Sequence, residues 1–537
     1  MYVYELWNGD NLQDILVVDC GIGFPQEQDL GVDFVIPDIS YLKDKTDKIR
    51  AVLLTHGHED HITALPHHYK ALGRPKVFGS KLTVAFVNHK SKEFNERIDL
   101  TEIDYKKEYQ LGGFTVKYIH TTHSIPDTCH ILIKSPVGAM YHGQDYKLDL
   151  NPPFGGPPDF YEICKAGHEG VLCLLSDCLG SEREGLTLSE SIVGQTFEDE
   201  MRKTKGKFIM TTFSSNISRI KQCVDAAIKF NRKIVFMGRS MRDNTKMAME
   251  MEYLNIPFDF VAKEEELLRL PPKKVCIIAA GSQGQFGSAL SKITRGLNKY
   301  VKIKPGDKVV FSSDPIPGNE EGVSTVIEDL TLQGADVVYP AITDQLHTSG
   351  HGNQEDMKFL MRFTEPKYFI PIGGTIRHQR QYQRLAEDMG YKKESVFLLN
   401  EGETVWFTKG GKATRGEAIH TKNIYVDSYG VGDVGTVVLR DRKTLSKEGV
   451  VVAIISVDNQ GRLSARPRVM SRGFVFEKNE EKLFDEAVRE LERVLKPIAQ
   501  QVVDHNSVRK QATLTLEDFF MHKKGKKPMI LAEVVSM

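Results

Sequence analysis

His56-Gly57-His58-Glu59-Asp60-His61 stands immediately after an apolar run at 51–55. Neutral imidazoles bind zinc, and a carboxylate can share such a site. Where a strand ends in a tight loop, His56 and His58 can point the same way, with Gly57 permitting the turn. Asp60 and His61 then open the next helix and face a second position. The spacing suggests a loop for two metal ions. The competing reading is a solvated polar turn that happens to be rich in histidine. Crowding argues against it, because eleven of the 17 histidines lie between His56 and His168.

Further ligands are expected on later strand ends. His123 follows a run at 114–120, and Asp145 follows a hairpin with its turn at 135–138. Taken alone, either is as readily a surface polar group. Their place behind the histidine loop is what raises them. An aspartate at 145 can bridge two cations, one on each oxygen. Asp19, closing the run 15–19, suits a carboxylate that orients a ligand histidine from behind.

Outward from the loop, short apolar runs at 15–19, 51–55, 77–80, 114–120, 130–134, 139–142 and 171–176 make the first 190 residues β-rich, with helical spacing at 65–72. From about 190 to 350 the texture changes. Compact runs at 208–212, 233–237, 275–280, 309–312 and 337–339 alternate with helical spacing, which predicts a parallel sheet covered on both faces. A helix at 354–363, a strand at 368–372, a helix at 379–389 and a strand at 396–399 follow. Glycine and charge dominate 402–416. The last region, 440–537, reads as a small α/β domain with strands near 450–457 and a helix near 483–494. The basic stretch 522–527 reads as a solvated loop.

The 537 residues suggest three or four domains at roughly 100–200 residues each. Lys and Arg total 71 against 72 Asp and Glu, which excludes a basic nucleic-acid coat and an acidic tail protein but not a local basic groove. No apolar run reaches the ~18–20 residues of a membrane span, and no signal peptide is visible. The seven cysteines form no CxxC pair and sit largely in apolar runs. They read as reduced, buried residues of a cytoplasmic protein.

Asp19, HxHxDH, His123 and Asp145, in that order, resemble the metallo-β-lactamase superfamily. More narrowly, most of the chain resembles the ribonuclease J family of the β-CASP group. The resemblance runs through Leu30-Gly-Val-Asp-Phe-Val-Ile-Pro-Asp-Ile-Ser-Tyr41, His123-Ser-Ile-Pro-Asp127, Leu175-Ser-Asp177 and Phe213-Ser-Ser-Asn216. It continues with Gly238-Arg-Ser-Met241, Gly281-Ser-Gln-Gly284, Ile316-Pro-Gly-Asn-Glu320, His347-Thr-Ser-Gly-His351 and Val431-Gly-Asp-Val-Gly435. HxHxDH marks only the superfamily; the ordered set with HxSGH is specific to ribonuclease J.

The resemblance implies an αββα metallo-β-lactamase sandwich with an inserted parallel-sheet β-CASP domain and a small α/β C-terminal domain. The sandwich would comprise 1–190 and 351–430, the insertion 191–350, and the last domain 440–537. It implies two Zn2+ ions: His56, His58 and His123 at one, Asp60 and His61 at the other, Asp145 bridging. Asp177 and His351 would be the catalytic acid/base pair. Ser215, Asn216 and the loop His347, Thr348, Ser349, Gly350 and His351 would grip RNA phosphates. The expected substrate is single-stranded RNA with a 5′-monophosphate, cut by 5′-to-3′ exonuclease and endonuclease action in RNA maturation and decay, and the chain would form homodimers or homotetramers.

The chain departs from the pattern at three places. Gly373 stands where the family has a histidine, the last ligand of the second metal, and His378 lies five residues on, in the following helix. Gln144 stands where a glycine usually precedes the bridging aspartate. Family members also carry a further strand before the equivalent of Met1. Two rivals follow from these departures and from the superfamily: an RNA-binding or assembly subunit with an impaired second site, and a metallo-hydrolase for small molecules. Retention of the other ligands argues against the first, and the large α/β insertion against the second.

Overall fold

The computed structural model describes residues 1–26, 29–316, 318–343, 345–427, 430–432, 434–458, 463–474, 480–498 and 505–536. Pro317 and Asp433, each inside a motif quoted above, lie outside the described residues. Two sheets meet face to face. The first runs in the order Tyr2–Asn8, Asn11–Val18, Ile49–Leu53, Lys76–Gly79, Leu100–Glu102. Its opening pair is an antiparallel hairpin, and the remaining pairs are parallel. The second runs in the order Tyr368–Ile372, Val171–Asp177, Gly138–Gly143, Cys129–Ser135, Phe114–His120, Glu108–Leu111.

Apolar residues on the two inner faces fill the layer between the sheets. Leu16, Val18, Ala51 and Leu53 come from one sheet, and Val116, Tyr118, Ile131 and Ile133 from the other. Helices Phe160–Glu169, Gln354–Thr364 and Ile376–Asp388 cover the second sheet, burying Ile163, Leu360, Met361, Tyr382 and Leu385 against it. Helix Lys81–Glu93 buries Leu82, Phe86 and Val87. Such an αββα sandwich explains why 15–18 and 51–54 are unbroken apolar runs: strands buried on both faces need no polar alternation.

The insertion is a five-stranded parallel sheet in the order Lys233–Met237, Val275–Ala279, Phe208–Thr211, Lys308–Phe311, Asp336–Val338. Helix Ser191–Lys203 precedes the first of these strands in sequence, and helices Ile217–Lys229, Arg239–Glu250 and Glu320–Leu332 lie between them. The strand expected at 396–399 is instead a single bridge from Val396 to Phe369. The helical spacing at 65–72 gives only the short helix Leu65–His68, with Pro66 in its first turn. The basic stretch is not all loop, because His522, Lys523 and Lys524 form the last turn of helix His505–Lys524, where cations suit the helix dipole. Six of the seven cysteines are buried, and Cys164 is exposed.

Contacts divide the chain into two compact units. One spans Met1–Gly23 and Ile36–Asn423 and holds all three sheets described so far. The other spans Phe24–Val35 and Ile424–Met537. It packs helices Glu480–Ile498 and His505–Lys524 on a sheet ordered Arg468–Arg472, Val450–Val457, Met529–Ser536. Sequence reading did not place Phe24–Val35 in this unit. The Asp33 N–H donates to the Val426 carbonyl at 2.9 Å, a pairing that no local pattern announces.

Candidate active site

The histidine loop begins where strand Ile49–Leu53 ends, and Asp60 and His61 lie in the one-turn helix Glu59–Ile62. His123 follows strand Phe114–His120, Asp145 follows Gly138–Gly143, and Asp177 closes Val171–Asp177. The side chains of different strand ends thus converge. His56, His61, His123, Asp145, Asp19 and Asp177 are all buried. Two of the aspartates carry left-handed backbone, Asp19 with φ 56° and Asp145 with φ 38°. Such backbone costs about 1–3 kcal/mol at a residue other than glycine and persists where surrounding contacts hold it.

Three imidazole nitrogens crowd one point. His56 Nε2 lies 3.0 Å from His58 Nδ1, and His123 Nε2 lies 3.2 Å from the same atom. Asp145 Oδ2 is 3.7 Å from His56 Nε2 and 3.8 Å from His123 Nε2. The far nitrogens are already engaged. His56 Nδ1 donates to the Thr55 hydroxyl at 3.0 Å, and that hydroxyl donates to Asp19 at 2.8 Å. His123 Nδ1 donates to the Gly350 carbonyl at 2.7 Å, and His58 Nε2 lies 3.2 Å from the Ser124 hydroxyl. Each ring therefore turns a lone pair toward its neighbours' lone pairs, an arrangement that a cation between them makes favourable. Burial and the neighbouring imidazoles hold His56 and His123 well below the usual histidine range and bring His58 down to about 3, so all three are neutral and competent as ligands.

His61 lies on the other side of Asp145, its Nε2 3.2 Å from Asp145 Oδ2 and 3.6 Å from Asp60 Oδ2. Its Nδ1 donates to Asp19 at 2.8 Å, the backing interaction expected of that aspartate. Burial opposes charge on His61, but Asp145, Asp60 and Asp19 outweigh it and push its pKa well up. Three sets of potential ligands emerge: His56, His58, His123; His56, His61, Asp145; and His123, Asp145, His351. Asp60 is in none of them, and its side chain is half exposed. The residues fit a cation at the first position on donor chemistry alone. At the second, His61 and Asp145 fit and Asp60 is within reach, while Gly373 offers nothing. His378 is in none of these sets either: its Nδ1 accepts from the Thr375 N–H at 3.2 Å, and its Nε2 lies 3.7 Å from Glu182 Oε2.

His351 Nδ1 donates to Asp177 Oδ2 at 2.7 Å. Burial works against its proton, but Asp177 and Asp145 prevail and raise its pKa to about 9. Its Nε2 is left facing the cluster. Of the other loop residues, Ser349 Oγ accepts from the His351 N–H, and Gly350 packs so closely on His123 that a Cβ there would lie 2.6 Å from its ring. Gly21 is equally constrained: a Cβ would stand 1.7 Å from the Asp60 carbonyl oxygen.

Thr348 and Asn216 also serve the fold. The Thr348 hydroxyl donates to Glu190 at 2.8 Å and accepts from Lys147 at 3.0 Å, and the Asn216 side chain caps helix Ile217–Lys229. Ser215 is half-buried just before that cap. Sequence reading missed the group that holds the loop. Arg219, fully buried, donates to Glu190 at 2.8 Å, to the Ser312 carbonyl at 2.8 Å and to His347 Nδ1 at 2.6 Å. Glu190 also faces Lys147 at 3.4 Å. Nothing in the local sequence of Glu190, Arg219 or Lys147 sets them apart from surface charge.

A sandwich of this kind with a converging His/Asp edge defines a metallo-β-lactamase-fold protein, and the insertion narrows the class. Residues 15–148 match the beta-lactamase superfamily domain, and 205–330 match the ribonuclease J beta-CASP domain. Residues 337–398 match the Zn-dependent metallo-hydrolase RNA specificity domain, and 437–537 the ribonuclease J C-terminal domain. The chain is 36% identical to ribonuclease J 1 of Streptococcus pyogenes over 97% of its own length and 93% of that protein's. It is 35% identical to ribonuclease J2 of Bacillus subtilis over 100% and 96%. A crystal structure of a protein of unknown function from Enterococcus faecalis shares the fold, with a TM-score of 0.53 at 15% identity over 74% of this chain and 94% of that one. The chain belongs to the ribonuclease J family.

Proposed function

We propose that the protein is a metal-dependent ribonuclease that hydrolyses phosphodiester bonds of single-stranded RNA, with 5′-to-3′ exonuclease and endonuclease action in RNA maturation and decay. One juxtaposition carries the reading: the His/Asp cluster, the Asp177–His351 pair and the 347–351 loop converge on one place. His56, His58, His123 and Asp145 would hold one cation, zinc, and Asp60, His61 and Asp145 a second. Cations held there supply a water of lowered pKa and neutralise charge on the scissile phosphate.

The protein's own groups do the rest. His351, kept protonated by Asp177, donates a proton from Nε2 to the leaving oxygen, while Asp177 fixes its tautomer through Nδ1. Ser215, His347, Ser349 and the Gly350 backbone contact the phosphates. Thr348 and Asn216 keep those groups in place from below. A 5′-monophosphate suits a site of this kind, since its extra charge is met by loop N–H groups and Arg219-backed His347. Homodimers or homotetramers and a cytoplasmic location complete the proposal; among the described residues no helix is long and apolar enough to cross a membrane.

The test measures metal content together with cleavage of 5′-monophosphorylated RNA, beside 5′-triphosphorylated RNA, a small ester and a lactam. Release of nucleotides from the monophosphorylated RNA alone is expected. RNA binding without turnover in the metal-loaded protein would give way to the binding-subunit reading, and turnover of the ester or lactam to the small-molecule one.

A further inference from the structure

The segment Thr121–Thr128 meets the histidine groups at three points. His123 supplies one of the converging imidazoles, and the Ser124 hydroxyl lies 3.2 Å from His58 Nε2. Ile125, buried, packs over the turn between His56 and His58. A Cβ on Gly57 would stand 2.8 Å from Phe86 Cδ2 and 3.4 Å from Ile125 Cδ1, so that turn is enclosed. The segment is also closed on itself. The Thr121 N–H donates to the Thr128 carbonyl at 3.0 Å, and the Thr128 hydroxyl to the Ile125 carbonyl at 3.0 Å. Its near end is held where His123 bonds the Gly350 carbonyl. At its far corner Asp127 has φ 61°, left-handed backbone that surrounding contacts must hold at a residue other than glycine.

The contact on the Asp127 side chain comes from the insertion. Tyr253, just beyond helix Arg239–Glu250, donates its phenol O–H to the Asp127 carboxylate. Among the described residues it is the one partner of that carboxylate, because Tyr105 reaches only the Asp127 carbonyl, at 3.4 Å. Tyr253 is itself fixed. Its N–H donates to the Ala248 carbonyl at 2.8 Å, Phe154 meets its ring edge-on at 6.1 Å, and the Lys81 ammonium stands 6.0 Å from the ring centroid. Resting on the metal-dependent cleavage proposed above, we infer that Tyr253 is a positioning residue for the active site. Through Asp127 the insertion sets the alignment of 121–128, and with it His123 and the turn between His56 and His58. A hydrogen bond to a carboxylate is roughly twice as strong as one between neutral groups. Without it the strained corner rests on Tyr105 and the segment's own bonds.

The test compares full-length wild type, Tyr253→Phe, Asp127→Asn and Asp243→Ala. Phenylalanine keeps the ring contacts and removes the hydroxyl. Asparagine tolerates left-handed backbone and keeps a neutral oxygen to accept the phenol. Asp243, 4.0 Å from His89 between helices Arg239–Glu250 and Lys81–Glu93, is a contact of the same seam outside the segment. Three quantities are read: Zn2+ affinity against a chromophoric chelator, hydrogen exchange across 121–128 in the metal-free chain, and kcat and KM on 5′-monophosphorylated RNA. Tyr253→Phe should bind Zn2+ about tenfold more weakly and exchange faster across 121–128. Its kcat should fall about tenfold or more with KM unchanged. Asp127→Asn should lie between Tyr253→Phe and wild type, and Asp243→Ala should match wild type. Wild-type affinity and exchange in Tyr253→Phe overturn the role of Tyr253. Equal losses in Asp243→Ala overturn it too, since the effect would then be one of seam stability. A wild-type chain that binds Zn2+ without cutting RNA overturns the cleavage reading alone; affinity and exchange still decide for or against Tyr253.

Discussion

Replacing Glu190 by glutamine isolates the buried charge group beneath the 347–351 loop. Glu190, Arg219 and Lys147 have side chains at most 1% exposed. Among the described residues, Glu190 is the one carboxylate that pairs with these cations, with Arg219 Nη2 at 2.6 Å and Lys147 Nζ at 3.4 Å. Glutamine preserves the shape and removes the charge, leaving two cations in a dry site. Breaking a buried pair in this way costs about 3–5 kcal/mol. At about 2 °C per kcal/mol, the small end of the range and appropriate to a large unit, the melting temperature should fall by roughly 6–10 °C. Because Thr348 hangs from Glu190 and His347 from Arg219, RNA cleavage should weaken as well. The triple replacement Glu190→Leu, Arg219→Met and Lys147→Met should recover part of the stability, since apolar groups of similar volume leave no buried charge behind, yet not the activity. Calorimetry of the two variants beside wild type checks this. A Glu190→Gln protein that melts with wild type would refute the idea that these charges are desolvated and interdependent.

Four further outcomes follow. The stability gap between wild type and Glu190→Gln should depend on pH: burial opposes the Glu190 charge, but Arg219 and Lys147 hold its pKa below the usual carboxylate value of about 4.3, so its contribution is full above that value and is lost as pH falls through the folded one. A gap that stays constant from neutral pH to pH ~3 in denaturant titrations would contradict it. His351→Ala should lower kcat on RNA by about 10²–10⁴ while metal content is unchanged; loss of metal along with activity would make His351 a ligand. Gly21→Ala, with its Cβ driven against the Asp60 backbone, should displace the histidine loop and reduce bound metal, whereas a normal metal count would show that the loop yields easily. Chelation should abolish RNA cleavage and lower the melting temperature, and Zn2+ should restore both if the first position is a zinc site.

The parts of this fold legible in sequence are those set by local pattern. Unbroken runs such as 208–211 and 233–237 are buried parallel strands, and an apolar run ending in HxHxDH is a strand feeding a ligand loop. What stayed hidden depends on pairing across long separations. Phe24–Val35 joins residues some four hundred positions later through backbone bonds, which carry no side-chain signature. Glu190, Arg219 and Lys147 look like solvated charges until three distant segments bury them. The residue types of Asn216 and Thr348 suit phosphate, but type alone does not announce that the Asn216 side-chain oxygen caps a helix or that the Thr348 hydroxyl bonds Glu190.

His123 and Gly350, joined by a hydrogen bond, are 227 positions apart in the chain, and Asp177 and His351 are 174 apart. During synthesis the histidine loop therefore emerges long before its last partners, and the whole insertion must be made in between. A chain released from the ribosome short of His351 could fold much of its first sheet and still lack the bond that fixes the His123 tautomer and the imidazole proposed to deliver the proton. On the proposed mechanism, chains that stop short of His351 would be inert toward RNA.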